Sequence, residues 1–315
     1  MSTSPHVAVL TGGMSLEREV SLRSGTRIAT ALTEGGLAVE RIDVDRDLVE
    51  RLGAGGYDLA VLALHGAAGE DGTVQSVLDL LGLPFSGSDA LASALAWNKP
   101  IAQGVYAAAG VRVPDRIVLS QLAFRELGAS AVVDRVAETL GLPLVVKPST
   151  GGSSLGLSVV TTAAELPAAI VAALSYAEAA LIERFVPGTE VAVTVLDGRA
   201  LPAVEIVPKG DRYDFAARYT AGRTDFHVPA RLDEAAAAAC EAAALAAGAA
   251  AGARHLYRAD LIVDADGTPW LLEIDTCPGM TETSLAPMAA EAAGVAFPDL
   301  CRTLVDLAVR DRAAA

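Results

Sequence analysis

The chain has 315 residues, of which 52% are hydrophobic and 20% charged, enough to build two or three packed domains. Its net charge of −15 argues against a general nucleic-acid binder, which would carry a basic surface. No apolar run approaches the ~20 residues that span a bilayer, and the N-terminus shows no signal-peptide pattern. The 3 cysteines have spacings that fit neither a disulfide framework nor a zinc site. Together these features predict a cytoplasmic protein that binds neither nucleic acid nor membrane.

Strands and helices alternate through the first hundred residues. Short apolar runs predict the strands, and apolar residues at helical spacing predict the helices. The predicted strands are His6–Leu10, Val39–Val44 and Tyr57–Leu64, and the predicted helices are Glu19–Leu32, Thr73–Leu81 and Asp89–Ala96. This order is typical of a parallel sheet with helices on both faces.

The rest of the chain has a different pattern. Predicted strands are Arg112–Leu119, Leu142–Val146 and Ala180–Phe185, with helices near Ala131–Leu140 and Ala163–Ala173. A strand-rich stretch from Glu190 is followed by an irregular segment (Pro208–Arg223), an alanine-rich helix (Asp233–Ala251), a hairpin (Tyr257–Ile274) and two final helices. We therefore expect three segments, residues 1–100, 101–185 and 186–315.

The hairpin brings acidic side chains together. Asp266-Gly267 between two apolar runs predicts a two-residue turn, which places Asp260 opposite Glu273. Asp275 shares their face because side chains alternate along a strand. Three carboxylates on one face favour a bound cation, and oxygen ligands suit Mg²⁺. The same register pairs Arg258 with Asp275, so a solvated polar face with an Arg–Asp ion pair is the alternative interpretation.

A second cluster joins a lysine to a glycine- and serine-rich loop. Lys147 ends an apolar strand, and Ser149–Ser154 follows with backbone N–H groups and hydroxyls that can cradle phosphate oxygens. The segment is not a P-loop, because G-x-x-x-x-G-K-[ST] is absent from the sequence. Taken alone, such a segment is more often an ordinary loop.

Polar residues also follow the predicted strands of the first segment. Gly12-Gly13 comes after the first strand, with Glu17 close behind, and His65-Gly66 ends the third strand, with Glu70 just beyond. The carboxyl ends of parallel strands are where open α/β sheets bind ligands, so we expect a site at this edge. His65 alone is also compatible with a buried structural histidine.

In chain order these motifs form one pattern. They are Gly12-Gly13-x-Ser15-x-Glu17-Arg18-Glu19-Val20-Ser21, His65-Gly66, Gly69-Glu70-Asp71-Gly72, Gly87-Ser88, Lys99, Lys147-Pro148, Gly152-Ser153-Ser154-x-Gly156, Glu183, Glu190, Tyr219, Arg258-x-Asp260, Glu273-x-Asp275 and Pro278-Gly279-Met280-Thr281. From about Val7 to Leu307 the pattern resembles the D-alanine–D-alanine ligases of the ATP-grasp superfamily. The resemblance implies an α/β protein with an ATP-grasp fold. An N-terminal parallel-sheet domain (Rossmann-like, pre-ATP-grasp) would occupy residues 1–100, with ATP-grasp subdomains at 101–185 and 186–315.

The resemblance also implies a role for each matching residue. ATP would contact Lys99, Lys147, Ser153, Ser154, Glu183, Glu190 and Arg218. Two Mg²⁺ ions, for which Mn²⁺ can substitute, would bind Asp260, Glu273 and Asp275. Substrate contacts would come from Glu17, His65, Ser284 and Leu285, with Glu17 in a network with Ser153 and Tyr219. Arg258 and the backbone N–H of Gly279 would stabilise an oxyanion.

The implied reaction joins two D-alanines through a D-alanyl phosphate, for peptidoglycan precursors, in an enzyme that the resemblance suggests is a homodimer. Three positions depart from the family pattern: Asp275 stands where asparagine is usual, Arg218 where lysine is usual, and Gly151 where an acidic residue is common. A ligase with another second substrate, a D-amino acid or a D-hydroxy acid, is therefore an alternative, although Tyr219 favours the dipeptide type over the D-lactate type. A non-catalytic ATP-binding protein is the other alternative.

Overall fold

A computed structural model describes residues 5–126, 129–210, 220 and 222–314 of the chain. Their strands form three sheets. The strands are β1 His6–Thr11, β2 Ala38–Asp43, β3 Leu59–Leu62, β4 Arg116–Ser120, β5 Leu144–Pro148, β6 Ser158–Val160, β7 Ala179–Arg184, β8 Thr189–Leu196, β9 Arg199–Ala200, β10 Val204–Pro208, β11 Thr224–His227, β12 Leu256–Val263 and β13 Pro269–Asp275. The α-helices are α1 Arg18–Glu34, α2 Leu48–Ala54, α3 Thr73–Leu81, α4 Ala90–Trp97, α5 Lys99–Ala108, α6 Gln121–Glu126, α7 Ala129–Leu140, α8 Leu166–Leu174, α9 Glu234–Ala251, α10 Leu285–Ala292 and α11 Phe297–Ala314.

The first sheet is parallel, as the sequence predicts, and its strand order is β2-β1-β3. Its middle strand β1 is buried from Val7 onward because layers of helices cover both faces. The third strand is shorter than predicted: it ends at Leu62, and the chain turns at Gly66, whose φ is +74°. The Ser15 hydroxyl donates to the His65 carbonyl at 2.6 Å, so the turns after β1 and β3 meet at one edge.

The central sheet is antiparallel, in the order β4-β7-β5-β6, and α7 and α8 pack against one face. Its first strand starts at Arg116, four residues later than predicted. The preceding backbone is hydrogen-bonded to the largest sheet instead, since the Arg112 carbonyl accepts from the Leu271 N–H of β13. Helix α5, which the sequence analysis missed, lies just before this region. The Asn98 side chain caps α5 by accepting from the Ile101 N–H at 3.3 Å.

The largest sheet runs β11-β10-β8-β12-β13, with β9 paired to β8. Its β12–β13 hairpin has the pairs that the sequence predicts at the expected site: Arg258 lies opposite Asp275, and Asp260 lies opposite Glu273. The three carboxylates and the arginine therefore lie on one face of the hairpin.

The predicted two-residue turn at Asp266-Gly267 is wrong. The strands stop at Val263 and Pro269, which face each other, and a wider turn joins them. The Gly267 N–H donates to the Asp264 carbonyl at 3.0 Å and Gly267 has φ +75°, which is the geometry of a three-residue hairpin loop. A β-bulge next to Leu261 offsets the longer turn, so the pairs near the site still agree with the prediction.

Helix α9 confirms the alanine-rich helix expected from the sequence, and the Asp233 carboxylate caps it by accepting from the Ala236 N–H at 2.8 Å. By length and composition alone α9 could cross a membrane. One of its faces packs instead against the largest sheet, where Cys240, Ala244 and Ala247 are fully buried. Small alanine side chains allow the helix to approach the sheet closely.

The two ends of the chain share one hydrophobic core. Val9 and Val61 of the first sheet pack in the same cluster as Leu300, Leu304 and Val305 of α11, and all five are buried. The last helix therefore covers one face of the first sheet, so the segments at residues 1–100 and 186–315 are joined by packing as well as by the chain.

Candidate active site

Two adjoining cavities lie where the sheets meet. The larger, with a volume of about 860 Å³, opens between the central and largest sheets. The smaller, of about 70 Å³, lies between the carboxyl edge of the first sheet and the end of β13. Both cavities are lined by Lys99, Gly151, Gly152 and Glu273. Ligands bound in the two cavities would therefore be in contact beside these four residues. We refer to them as the cleft and the chamber.

A buried ion pair lies in the cleft. The Lys147 ammonium is 2.9 Å from a Glu183 carboxylate oxygen, and both side chains are almost fully buried. The Gln103 amide donates to the other oxygen of Glu183 at 2.5 Å. Glu190 and Ser154 also line the cleft. Lys147, Glu183, Glu190 and Ser154 thus place one cation and several hydrogen-bonding groups along a cavity whose volume suits a nucleotide-sized ligand, and Gln103 supports Glu183 from behind.

Lys99 stands between the two cavities. It is the first residue of α5, and its backbone N–H donates to the Ser149 carbonyl at 3.0 Å. Its ammonium is 3.2 Å from Glu273 and also donates to the Gly151 carbonyl. The cation thus links the hairpin to the glycine- and serine-rich loop at the junction of cleft and chamber.

The loop itself adopts an unusual backbone conformation. Gly151 has φ +106°, and Ser153 and Ser154 have φ +52° and +58°. Left-handed conformations cost non-glycine residues about 1–3 kcal/mol and are common at functional sites. Here the conformation turns the Ser153 hydroxyl into the chamber, where it donates to the carboxylate of Glu17. The predicted contact between Glu17 and Ser153 is therefore present, with Glu17 buried.

Arg258 is held between two carboxylates. Its Nε and Nη2 atoms donate to both oxygens of Asp260, at 2.6 and 2.9 Å, and its Nη1 atom lies 3.0 Å from Asp275. All three side chains are largely buried. The alternative of a solvated polar face is therefore wrong, although the predicted Arg–Asp ion pair exists. Burial raises the pKa of Asp275, and the Arg258 guanidinium opposes that rise.

The acidic residues of the hairpin are a hard-oxygen donor set of the kind that Mg²⁺ prefers. Asp260 and Glu273 face the cleft, and Glu273 and Asp275 face the chamber. Among the described residues no three acidic, histidine or cysteine side chains converge in metal-binding geometry. Their contacts are instead with the cations of Arg258 and Lys99. The oxygen donors and the negative charge of these three carboxylates fit a divalent metal ion. The assignment of the metal site stays a prediction.

His65 lies in the chamber wall with both ring nitrogens bonded. Its Nδ1 atom is 3.1 Å from the Cys277 carbonyl, which can only accept, so Nδ1 carries the proton. Its Nε2 atom is 2.9 Å from the Ser24 hydroxyl and accepts from it. Burial lowers the pKa of His65 to about 4, so the ring is neutral. The expected substrate contact of His65 stays a prediction, beside its structural role.

Glu70 is a chamber residue to which the sequence analysis gave a motif but no role. Its side chain is largely buried and accepts from the Gly66 N–H at 2.9 Å. Burial raises the pKa of Glu70 well above the ordinary value, and the nearby charges of Asp275 and Glu17 raise it further. Gln103 was missed entirely, although its place four residues after Lys99 puts both on the same side of α5.

The far end of the chamber is the start of α10. Ser284 precedes the helix and Leu285 begins it, and both line the chamber together with Gly279. The Ser284 hydroxyl accepts from the Thr281 N–H at 2.9 Å, which fixes the approach to the helix. Backbone N–H groups at a helix start attract carboxylates. Two further expected residues, Arg218 and Tyr219, lie outside the described residues.

The fold and the site define the class of protein. Two antiparallel sheets close on a nucleotide-sized cleft, buried lysines lie within it, and a parallel-sheet domain completes the chamber; these are the features of an ATP-grasp protein. A family model described as the D-ala D-ala ligase C-terminus matches residues 105–306.

Relatives and solved structures agree with that match. A D-alanine–D-alanine ligase of Anaeromyxobacter dehalogenans is 45% identical over 304 residues, 96% of this chain and 97% of the relative. The crystal structure of a D-alanine–D-alanine ligase from Bacillus anthracis complexed with ATP has a TM-score of 0.85 and 32% identity, over 99% of both chains. The VanG D-Ala:D-Ser ligase of Enterococcus faecalis has a TM-score of 0.83 and 26% identity, over 97% of this chain and 100% of that one. The chain belongs to the D-alanine–D-alanine ligase family.

Proposed function

We propose that the protein is an ATP- and Mg²⁺-dependent ligase that joins two D-alanines to D-alanyl-D-alanine for peptidoglycan precursor synthesis in the cytoplasm. The supporting observation is the junction at Lys99, Gly151, Gly152 and Glu273, where the cleft meets the chamber. A nucleotide in the cleft would present its terminal phosphate to a small acid in the chamber at this point. The overall similarity to D-alanine–D-alanine ligases supports the same reaction.

In this proposal the cleft binds ATP. Lys147 and Lys99 contact the phosphates, Ser153 and Ser154 cover them, and Glu183 and Glu190 contact the adenine amino group and the ribose. Arg218 belongs to the same set. The Lys147–Glu183 ion pair and the Gln103 contact hold these groups in place before the nucleotide enters. Binding then requires little rearrangement of buried charge.

Asp260, Glu273 and Asp275 would hold the Mg²⁺ ions in this proposal. When bound, the metal supplies positive charge that offsets the charge on the transferring phosphoryl group. The protein's own cations at that place, Lys99 and Arg258, act in the same sense.

Glu17 would bind the ammonium of the first D-alanine, supported by Ser153 and Tyr219. The carboxylate of that first D-alanine then attacks the terminal phosphorus of ATP, ADP leaves, and D-alanyl phosphate forms. The amine of the second D-alanine attacks the acyl carbon, and Arg258 with the Gly279 N–H stabilises the resulting oxyanion. Phosphate leaves and the peptide bond remains. Ser284 and Leu285, at the start of α10, bind the carboxylate of the second D-alanine.

A second candidate is a ligase with a different second substrate. The similarity to a D-Ala:D-Ser ligase, and Asp275 and Arg218 in place of the usual asparagine and lysine, favour testing it. The homodimer suggested by the resemblance also remains part of the proposal.

The test is incubation of purified protein with ATP, Mg²⁺ and D-alanine alone, then with D-serine or D-lactate added. Phosphate release is followed and products are identified by mass. We expect phosphate and D-alanyl-D-alanine in equal amounts from D-alanine alone. Turnover only with an added second acceptor would favour the altered-specificity ligase. ATP binding without turnover on any acceptor would favour a non-catalytic ATP-binding protein.

A further inference from the structure

One wall of the chamber is a loop with no regular secondary structure of its own. Residues 276–284 connect β13 to α10, and we call them the substrate loop. This loop carries Gly279 and Ser284, both of which line the chamber. Because a loop lacks the hydrogen bonds of a strand or helix, its position depends on what holds it from outside.

His65 bonds the Cys277 carbonyl near the start of this loop. The contacts further along it, at Met280 and Thr281, come from helix α1. The Ser24 hydroxyl accepts from the Met280 N–H at 3.2 Å. The Arg27 Nη1 atom donates to the Met280 carbonyl at 3.1 Å and to the Thr281 carbonyl at 2.9 Å. The N–H and carbonyl of Met280, directly after Gly279, are thus both bonded to one face of α1. Since peptide groups are planar, the bond at the Met280 N–H also orients the carbonyl of Gly279 and so restricts this residue.

Arg27 is itself well fixed. Its guanidinium carbon lies 3.7 Å from the centre of the Phe297 ring, at the start of α11. Ser24 stands three residues earlier on α1, and therefore on the same face, and it donates to His65. Among the described residues that line the chamber, Arg27 does not occur, so it reaches the substrates only through the substrate loop.

Helix α1 connects the two substrate positions. Its N-terminal flanking residue is Glu17, which faces the chamber, and Arg27 lies further along the same helix. A rigid helix therefore sets the distance between the carboxylate expected at the first substrate and the loop expected at the second.

We propose that Arg27 is a positioning residue for the second substrate. By bonding two successive carbonyls it holds the substrate loop so that Gly279 and Ser284 meet the second D-alanine. The inference rests on the proposed function, because the roles of Gly279 and Ser284 do. Neither the sequence pattern nor the family resemblance singled out position 27.

The chain offers a matched control on the same helix. Arg23, one turn before Arg27, also reaches the substrate loop, through an ion pair with Glu282 at 3.2 Å. That pair is exposed, with 52% and 66% of the two side chains accessible, and exposed pairs contribute little. Replacing Arg23 removes the same charge from the same helix without touching the loop backbone.

The experiment compares Arg27→Met, Arg27→Lys and Arg23→Met with the wild type. Initial rates over a wide D-alanine range are fitted with separate Michaelis constants for the two D-alanine sites. Oxygen-isotope scrambling within ATP reports phosphorylation of the first D-alanine independently. Melting temperatures show whether each variant is folded.

We expect Arg27→Met to raise the KM of the second D-alanine about tenfold, because both hydrogen bonds that hold the substrate loop to α1 through Arg27 are lost. The KM of the first D-alanine and the isotope scrambling should stay unchanged, Arg27→Lys should recover part of the loss, and Arg23→Met should behave as wild type. Equal changes in both D-alanine constants, an unchanged second constant, or the same effect from Arg23→Met would overturn the inference. A wild type that makes no D-alanyl-D-alanine would instead overturn the proposed function.

Discussion

At the scale of single residues, the chamber contains buried side chains of opposite charge that lie against one another. Arg258 lies between Asp260 and Asp275, and Lys99 lies against Glu273. Removing water strengthens each of these interactions, but it also makes any unpaired charge expensive. Under the proposed function, the ligands add charges of their own to this set, an ammonium at Glu17 and phosphates at the lysines.

Glu17 provides the first test at this scale. Glu17→Gln keeps the shape of the side chain and its acceptor for the Ser153 hydroxyl. It removes the charge that the proposed function places opposite the substrate ammonium. We expect a loss of about 2–3 kcal/mol of binding, which is roughly a hundredfold increase in the KM of the first D-alanine. Steady-state kinetics measure it. Glu19→Gln, an exposed neighbour on the same helix, is the control, and equal effects from both would contradict the assignment.

His65 provides the second test, through pH. Its folded pKa of about 4 lies below the ordinary 6.5, so the unfolded chain binds the proton more tightly. Stability from the neutral ring is present above pH 6.5 and is lost as the pH falls towards 4, by up to roughly 3 kcal/mol. His65→Asn, which keeps a donor for the Cys277 carbonyl, should flatten the acid side of the stability–pH curve. Urea unfolding at several pH values measures this, with half-exposed His227→Asn as the control; parallel curves for wild type and His65→Asn would refute it.

At the scale of elements, the β12–β13 hairpin shows what the sequence could and could not predict. The assumed Asp266-Gly267 turn set a register that places Asp260 opposite Glu273, and this pair is present only because the β-bulge offsets the wider turn. The predicted two-residue turn was wrong because the Asp264 carboxylate stabilises a wider turn. It accepts hydrogen bonds from the Thr268 N–H at 2.9 Å and from the Trp270 ring N–H at 2.8 Å. An alternating pattern of apolar and polar residues predicts neither these hydrogen bonds of Asp264 nor the bulge that compensates for the wider turn.

The turn yields a prediction of its own. Asp264→Ala removes the acceptor of these bonds, so we expect a melting temperature several degrees lower at neutral pH, with activity retained because the turn is remote from the chamber. The hydrogen bond from Trp270 lowers the pKa of Asp264, so its stabilisation is present at neutral pH and disappears in strong acid. Calorimetry at both pH values checks this. Asp266→Ala, in the same turn, should have a smaller effect; if the two variants melt alike, the capping role is wrong.

Other elements differ in how well local patterns predicted them. The strands β1 and β5 and the helix α3 were found because of their apolar pattern, and α9 because alanine is a strong helix former. Helix α5 was missed, although it carries Lys99 and Gln103, because its buried polar residues interrupt the apolar pattern. The contact between Glu17 and Ser153 came only from the resemblance, since no local rule joins residues so distant in sequence.

At the scale of the whole molecule, the shared core of the first sheet and α11 is a testable feature. Leu304 is 4% exposed and packs with Val9 and Val61, so Leu304→Ala should cost about 3 kcal/mol of unfolding free energy. Val309, on the same helix, is 44% exposed, and Val309→Ala should change stability by less than about 0.5 kcal/mol. Denaturant titration measures both, and similar losses from the two variants would show that α11 does not complete this core.

That shared core has a consequence for the order in which the protein is made. During synthesis the first sheet leaves the ribosome long before α11 does, and until then the face bearing Val9 and Val61 has no cover from that helix. Glu17 and His65 are therefore translated well before the helix that packs against their sheet. A chain interrupted before α11 would carry nearly every residue of the site and still expose the part of this apolar core that α11 covers, the kind of surface that chaperones and proteases recognise.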